Sequence, residues 1–289
     1  MKVHQLLRQY EKGIRDFRDI SLEGLNLSHI LLIQVDFTGA NLDGANLSRA
    51  FLTRANLCGA SLCRANLSFV KLSDGNLSGA NLTKVNMSGA FMVKSQLPGA
   101  QISGANLTGA NLRSANLQGA NLSGANLQGI NLRGADLRGA NLRWANISFG
   151  RLSGALLEGA KLNGVNLCGA YLNGVNLKEV ELDGVNLMDA KLSGANLQGA
   201  KLIAANFRAA KLRGTNLSGA NLRGADFTDA EVESTNFKGA DLREAQIAGA
   251  IVDAASFSTA IMADTMLTRP LSGFGHYLQG HPFAPGITG

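Results

Sequence analysis

The chain has 289 residues, a formal net charge of +6 at pH 7, and 35 glycines beside only four prolines. Its three cysteines match no metal-site spacing and form no disulfide framework, which suits a reducing compartment. No apolar signal region or bilayer-length apolar run occurs, so we predict a cytoplasmic protein without a membrane span.

Residues 1–14 are predicted to form a short N-terminal capping helix. Its apolar positions share one face at helical spacing: Val3, Leu6, Leu7 and Tyr10. Gly13 follows them and is typical of a helix C-terminus. Such a helix covers the inward leucines and the unpaired edge that the first coil of a solenoid leaves exposed.

Residues 15–268 repeat every five positions. The central residue of each repeat, from Phe17 to Leu267, is always Leu, Phe, Ile, Met or Val, and the residue two before it is usually Ala. A helix rotates by about 140° in five residues and scatters these centres, whereas a straight strand sends alternate centres to opposite faces. An extended segment followed by a tight turn keeps every centre inward. Four repeats then close a coil of twenty residues, and stacked coils pair in parallel.

The same period of twenty appears in the residue before each centre. It is Asn at every twentieth position from Asn26 to Asn206, which we interpret as a stacked amide ladder with a structural role. The glycines mostly end a repeat, where a tight turn needs conformational freedom, so they do not indicate disorder.

This pattern resembles the pentapeptide repeat family, and the leader Leu-Leu-x-x-Tyr-x-x-Gly-x-Arg-x-Phe at residues 6–17 is similar to cyanobacterial members. The resemblance implies an all-β fold: a right-handed quadrilateral parallel β-helix with four five-residue repeats per coil. Family members with projecting loops often use them for recognition. No loop interrupts the repeat here, so we expect recognition to use the flat sides of the coil.

One predicted side, centred on residues 32, 52, 72 and onward, carries a basic column. We predict these protein-interaction residues on it: Arg54, Lys71, Lys94, Arg113, Arg133, Arg151, Tyr171, Lys191, Lys211 and Arg213. Phe51 and Phe91 also point outward there, and only Asp74 opposes the cations between residues 51 and 213. The column is either a docking face for phosphates or an acidic protein surface, or a solvated face that keeps the solenoid soluble.

Trp144 is a further candidate interaction residue. It lies two residues after a centre, which predicts a coil corner, and Phe149 follows one repeat later. Exposed aromatic residues are favoured at interaction hot spots, although a single exposed ring is also commonplace.

The last repeats are acidic. Residues 226–264 carry eight carboxylates against Lys238 and Arg243, a net charge of −6. Residues 269–289 leave the repeat and are predicted to be a C-terminal tail. Two alternatives stay open: the tail covers the last coil as a cap, or it is disordered and the last coil pairs end to end in a homodimer.

No arrangement of His, Cys and carboxylates indicates a nucleophile or a metal site, so we predict a protein that is not an enzyme and needs no cofactor. The favoured function is a non-catalytic rigid scaffold for another protein, regulatory in a cyanobacterium-like cell. The family's best-known activity, imitation of DNA toward a type II topoisomerase, needs a strongly negative surface and is a less favoured alternative. Weak nucleic-acid binding through the basic column is the third hypothesis, and no small-molecule substrate is expected.

Overall fold

The computed structural model describes residues 1–265. The chain divides into two compact units, Met1–Tyr171 and Leu172–Gly289, which we call the N-terminal unit and the C-terminal unit and describe separately. The predicted tail at 269–289, together with the end-to-end homodimer proposed for that end, falls outside the described residues.

The N-terminal unit begins with one short helix, α1, at Val3–Glu11, which confirms the predicted helix with slightly narrower bounds. Leu6 is fully buried on its inner face. The Tyr10 hydroxyl donates a hydrogen bond to the Ile33 carbonyl at 3.1 Å, and the Arg15 guanidinium lies 3.7 Å from the centre of the Tyr10 ring. These contacts fix the helix against the first coils. Within residues 1–265 no helix is both long and apolar enough to cross a membrane.

Both units are β-helical coils with a period of twenty residues. Within each unit, parallel bridges join residues that precede a centre to the residue twenty positions later. In the N-terminal unit they run from Asp16↔Asp36 to Arg151↔Tyr171, and in the C-terminal unit from Asn176↔Asn196 to Asp241↔Ile261. Each repeat contributes one bridging residue, so the sheet in the described part of the chain consists of single-residue bridges. The predicted coil of four repeats is confirmed.

Each repeat has five positions, which we number from the bridging residue: bridge (1), centre (2), first turn residue (3), second turn residue (4) and small inward residue (5). In the repeat at 106–110, Asn106 N–H donates to the coil before it, and Leu107 and Gly109 N–H donate to the coil after it, at 2.7–2.9 Å. Ala110 N–H closes the turn on the Leu107 carbonyl at 3.0 Å. The remaining N–H, at position 3, donates to the Asn106 side chain at 3.1 Å. Every backbone donor of this repeat is thereby satisfied.

This hydrogen bond gives the asparagines a second role beside the predicted ladder. The ladder itself is confirmed: Asn46 donates to Asn26 at 3.2 Å, and Asn166 donates to Asn146 at 3.2 Å. In addition, each Asn carbonyl oxygen accepts the N–H two residues further on, as Asn46 does from Ser48 at 3.1 Å. Asn at position 1 therefore satisfies a backbone donor that neither the turn nor the next coil reaches.

The turns require a left-handed residue at position 4. Gly109 has a φ of 66°, and the Leu107 carbonyl accepts the N–H three residues on, which is the geometry of a type II turn. Glycine adopts this conformation without a Cβ clash, whereas other residues lose about 1–2 kcal/mol. Trp144, with a φ of 61°, and several charged residues nevertheless occupy it.

The core of each unit is a stack of centres and small residues. The centre Leu112 and the inward Ala110 are fully buried, and the same holds for most of their equivalents. Burial of one such leucine contributes about 2 kcal/mol through the hydrophobic effect. In the C-terminal unit phenylalanines replace several leucines, and the rings of Phe207 and Phe227 stack at 4.7 Å.

Candidate functional site

The basic side of the N-terminal unit consists of positions 1–4 in the repeats that begin at residues 31, 51, 71, 91, 111, 131 and 151. Six predicted interaction residues lie there and are exposed: Arg54, Lys71, Lys94, Arg113, Arg133 and Arg151. Parallel bridges Phe51↔Lys71 and Lys71↔Phe91 place these bridging residues in one column. The coil therefore brings the cations together on one side.

These six cations have no carboxylate partner within residues 1–265. The two ion pairs of the N-terminal unit are Arg18–Asp16 and Arg138–Asp136, each at 2.6 Å, and neither involves the basic side. Between residues 44 and 135 the sequence has one acid, Asp74. Against it stand eight cations: Arg49, Arg54, Arg64, Lys71, Lys84, Lys94, Arg113 and Arg133. The positive charge of this side is therefore not neutralised by the unit itself.

Exposed rings alternate with these cations. Phe51 and Phe91 are 46% and 42% exposed, and the Lys71 ammonium lies 5.4 Å from the Phe91 ring centre. On the corner that leads into this side, the Arg49 guanidinium lies 5.8 Å from the ring of Phe69. Both distances suit cation–π attraction. Tyr171, also predicted on this side, is half-buried.

Sequence reasoning predicted the column of cations with the outward rings Phe51 and Phe91, but it missed the corner residues Arg49 and Phe69 beside that column. The signal for them was present, because both are position-4 residues spaced by twenty. Sequence reasoning also missed a set of open backbone donors. Position 1 holds Leu31, Phe51, Lys71 and Phe91 in four successive coils, and none of these side chains accepts the N–H of position 3.

The consequence is a row of unpaired amides. The following N–H groups donate to no acceptor in the described part of the chain: Ile33, Thr53, Ser73 and Val93. The Ser73 hydroxyl is also buried without a hydrogen-bond partner. In the next coils Asn returns at position 1, and Asn111 and Asn131 again accept from Arg113 and Arg133 at 3.2 and 3.3 Å.

The predicted basic residues of the C-terminal unit have a different environment. Lys211 pairs with Glu231 at 2.9 Å, and Arg213 lies 3.9 Å from Glu233. Lys191 bridges to Lys211 and is half-buried. The sequence-based description of the basic column ended at Arg213. The acids that neutralise Lys211 and Arg213, namely Glu231 and Glu233, lie in the next coil.

Ion pairing extends through the acidic segment of the same unit. Five of its eight carboxylates contact a cation within 4.0 Å: Asp226, Glu231, Glu233, Asp241 and Glu244. The Arg243 guanidinium holds the pKa of the Asp241 carboxyl below its usual value, just as Arg138 does for Asp136 in the N-terminal unit. Such carboxylates stay ionised at neutral pH, so they serve as ion-pair partners and not as general acids.

Trp144 lies at a coil corner, as predicted, and 73% of it is exposed. Its ring lies against the backbone of Gly164 one coil later, where an added Cβ would clash with the ring. Phe149 covers Gly169 in the same way, and a Cβ added there would lie 2.6 Å from the Phe149 ring. Each of these two aromatic corners therefore needs a glycine in the next coil.

The three cysteines are partly exposed thiols, as their position after a centre predicts: Cys58, Cys63 and Cys168. Among residues 1–265 no group of three or more His, Cys, Asp or Glu residues is placed to hold a metal ion.

The solved structures similar to this chain include two proteins from cyanobacteria and one that is plasmid-mediated. HetL from the cyanobacterium Nostoc sp. strain PCC 7120, a pentapeptide repeat protein involved in heterocyst differentiation regulation, is 33% identical, with 91% of this chain and 98% of HetL covered and a TM-score of 0.41. Rfr23 from the cyanobacterium Cyanothece 51142 is 26% identical, covering 56% and 97%, with a TM-score of 0.24. QnrB1, a plasmid-mediated fluoroquinolone resistance protein, is 21% identical, covering 70% and 88%, with a TM-score of 0.38. No curated protein matches the chain.

A family model for pentapeptide repeats matches eight copies, in segments that lie between residues 16 and 258. These matches cover well over half of the sequence and follow the same five-residue phase as the bridges and turns described above. The chain belongs to the pentapeptide repeat family.

Proposed function

We propose that the protein is a non-catalytic rigid scaffold that binds another protein through the basic side of its N-terminal unit. The observation that carries this proposal is the set of six exposed cations without a carboxylate partner within residues 1–265, interleaved with exposed phenylalanines. Aromatic and arginine side chains are the groups most often responsible for binding energy at protein interfaces.

The hydrogen-bond network supports rigidity. In the repeat at 106–110, where position 1 is Asn, all five backbone N–H groups are paired. A surface held in this way loses little conformational entropy when a partner binds, so a flat side can recognise its partner through the pattern of its side chains. Pentapeptide repeat proteins are generally non-enzymatic structural or interaction proteins, which agrees with this function.

Imitation of DNA toward a type II topoisomerase is the second candidate. The acidic residues 226–264 are the one feature that favours it. The ion pairs described above argue against it, because a carboxylate paired with Arg or Lys presents little of the negative potential that a phosphate carries. Nucleic-acid binding through the basic side is a third candidate and predicts affinity that falls steeply with salt.

Four finer features are proposals of the same kind. Right-handed winding of the quadrilateral coil is supported by the right-handed preference of crossovers between parallel strands. The domain bounds 1–14, 15–268 and 269–289 follow the limits of the repeat. A cytoplasmic location suits the partly exposed thiols. The regulatory context in a cyanobacterium-like cell rests on the leader at residues 6–17.

The test is affinity capture from the native cell extract with wild type and the R113E/R133E/R151E variant. All three positions are exposed, so the variant is expected to fold, and circular dichroism checks that it does. Proteins captured by wild type and lost with the variant support docking on the basic side. Recovery of the same proteins with both would show that the cations are only a solvated surface.

A further inference from the structure

We propose that the N-terminal half of the basic side binds an acidic amphipathic helix of a partner protein, with partner carboxylates accepting the open backbone N–H groups. The docking strip comprises the bridging residues Leu31, Phe51, Lys71 and Phe91 and the position-3 amides of Ile33, Thr53, Ser73 and Val93. This inference rests on the proposed protein-docking function and names the chemistry of the partner.

The unpaired N–H groups of the strip indicate that the partner supplies a carboxylate or amide oxygen as the hydrogen-bond acceptor. Where position 1 is Asn or Asp, that side chain satisfies the equivalent N–H, at 3.1 Å from Asn46 and at 2.9 Å from Asp36. Leu31, Phe51 and Phe91 have no oxygen to offer. An Asp or Glu side chain from a partner has the same chemistry as the missing acceptor. A hydrogen bond to a charged oxygen is also stronger than one to a neutral oxygen.

The positive charge around the open amides favours a carboxylate of the partner over a neutral amide as the acceptor. Arg54 and Lys94 directly follow the open amides of Thr53 and Val93, and Lys71 lies two residues before that of Ser73. None of these three cations is paired with a carboxylate within residues 1–265. Asp74 is the one acid on this stretch of the side. A partner with carboxylates in this position therefore meets complementary charge.

The apolar residues of the docking strip indicate a protein and not a single-stranded nucleic acid. Leu31 and Ile33 are 53% and 38% exposed and continue the line of Phe51 and Phe91 toward helix α1. Aliphatic side chains do not provide the stacking platforms that bases use, whereas they are ordinary partners for leucine and phenylalanine anchors of a protein.

The spacing selects a helix. Successive coils repeat the apolar residue and the open amide every ~4.8 Å. One turn of an α-helix rises ~5.4 Å and presents one apolar and one acidic side chain to the same face in each turn. An extended chain repeats a face every ~6.7 Å and loses register within two coils. Apart from these position-3 amides, the backbone of the strip is paired with the neighbouring coils, so strand addition along this side is not available.

The first variant for a test is F51N/K71N/F91N, which restores the Asn found at position 1 in the next two coils, Asn111 and Asn131. It supplies an internal acceptor for the amides of Thr53, Ser73 and Val93 and removes two of the apolar anchors, Phe51 and Phe91. Because it copies the native repeat, we expect it to fold. The matched control is S61N/Q101N, the same kind of change at position 1 of another side.

The measurement is fluorescence anisotropy with a synthetic helical peptide that carries leucines at i, i+3 and i+4 spacing and a glutamate row beside them. The probes for comparison are the same peptide with Gln for Glu and an oligothymidine strand. We expect wild type and the control to bind the Glu peptide, and F51N/K71N/F91N to weaken that binding by about tenfold or more. Equal binding of the Glu and Gln peptides, unchanged binding by the variant, or tighter binding of oligothymidine would each overturn the proposal.

Failure here is distinguishable from failure of the proposed function. If extract proteins depend on Arg113, Arg133 and Arg151 while the Glu peptide does not bind the docking strip, the scaffold function stands and the acidic-helix inference is wrong. If the extract proteins depend on neither set of residues, both are wrong.

Discussion

The N-terminal and C-terminal units share one coil geometry and differ in what their sides do with charge. In the N-terminal unit six basic residues of one side have no carboxylate partner within the described residues, and exposed phenylalanines alternate with them. In the C-terminal unit Lys211 and Arg213 meet Glu231 and Glu233 one coil later. The inward residues determine the coil in both units, so the outward positions are free to differ. The same repeat can therefore form a surface whose cations are neutralised or one whose cations are unpaired. Which of the two forms depends on whether a carboxylate occurs twenty residues after each cation.

The strongest test of this difference is binding to a polyanion. We expect heparin to retain wild type at about physiological ionic strength, ~0.15 M, and the R113E/R133E/R151E variant to lose that retention. The matched variant K191E/K211E/R213E removes cations of the C-terminal unit that are already partly neutralised, so its elution should move less. Equal shifts on a heparin column would contradict the comparison.

The second prediction concerns a variant whose C-terminal unit, like the N-terminal unit, has cations without carboxylate partners. The E231Q/E233Q substitutions remove the carboxylates from Lys211 and Arg213 while keeping the shape of the side chains. We expect stronger retention on heparin, with an increase smaller than the loss in the preceding experiment because two cations are uncovered instead of three reversed. Unchanged elution would mean that these pairs do not hold the cations in solution.

The corner residues provide a stability test. Aromatic residues occupy the left-handed turn position only in the N-terminal unit among the described residues: Phe69, Trp144 and Phe149. We expect G164A to lower the free energy of unfolding by about 1–2 kcal/mol through backbone strain, and by about 1 kcal/mol more because the new methyl group displaces the Trp144 ring.

The control for that experiment is G124A. Gly124 belongs to the same corner column, has a φ of 63° and has no atom within 4 Å of an added Cβ, so only the strain applies. In a W144A background, G164A and G124A should lower the free energy of unfolding by the same amount, as measured by chemical denaturation. A persistent difference would mean that the Trp144 ring does not rest on Gly164.

The smallest expected effect is on acid stability. Arg138 and Arg243 hold the pKa of Asp136 and Asp241 below the ordinary value, so these carboxylates stabilise the folded state above about pH 4. That contribution is lost as the pH falls through the lower folded-state pKa. We expect R138Q and R243Q to flatten the decline in unfolding free energy below about pH 4 by a small amount, since exposed ion pairs contribute little. An unchanged pH profile of denaturation would contradict the pairing.

The fold was predictable because its determinants are local. A five-residue period fixes which positions face inward, and the centres from Phe17 to Met262 keep that phase without a break in the described residues. The bridges at a spacing of twenty and the exposed corner of Trp144 follow from the same periodicity.

The candidate site was only partly predictable because it depends on relations between coils. The neutralisation of Lys211 required a carboxylate twenty residues later to adopt the right rotamer, which a list of charges does not reveal. The open amide of Thr53 was hidden for another reason. The missing acceptor is recognised only once the Asn side chains elsewhere are seen to accept the N–H two residues on.

The central claim is that the open cations of the N-terminal unit form the docking face and the paired ones of the C-terminal unit do not. Its most direct test is quantitative affinity capture from native extract with wild type, R113E/R133E/R151E and K191E/K211E/R213E side by side. We expect specific partners to be retained by wild type and by the C-terminal variant and lost with the N-terminal variant. Loss with both variants, or with the C-terminal variant alone, would contradict the account.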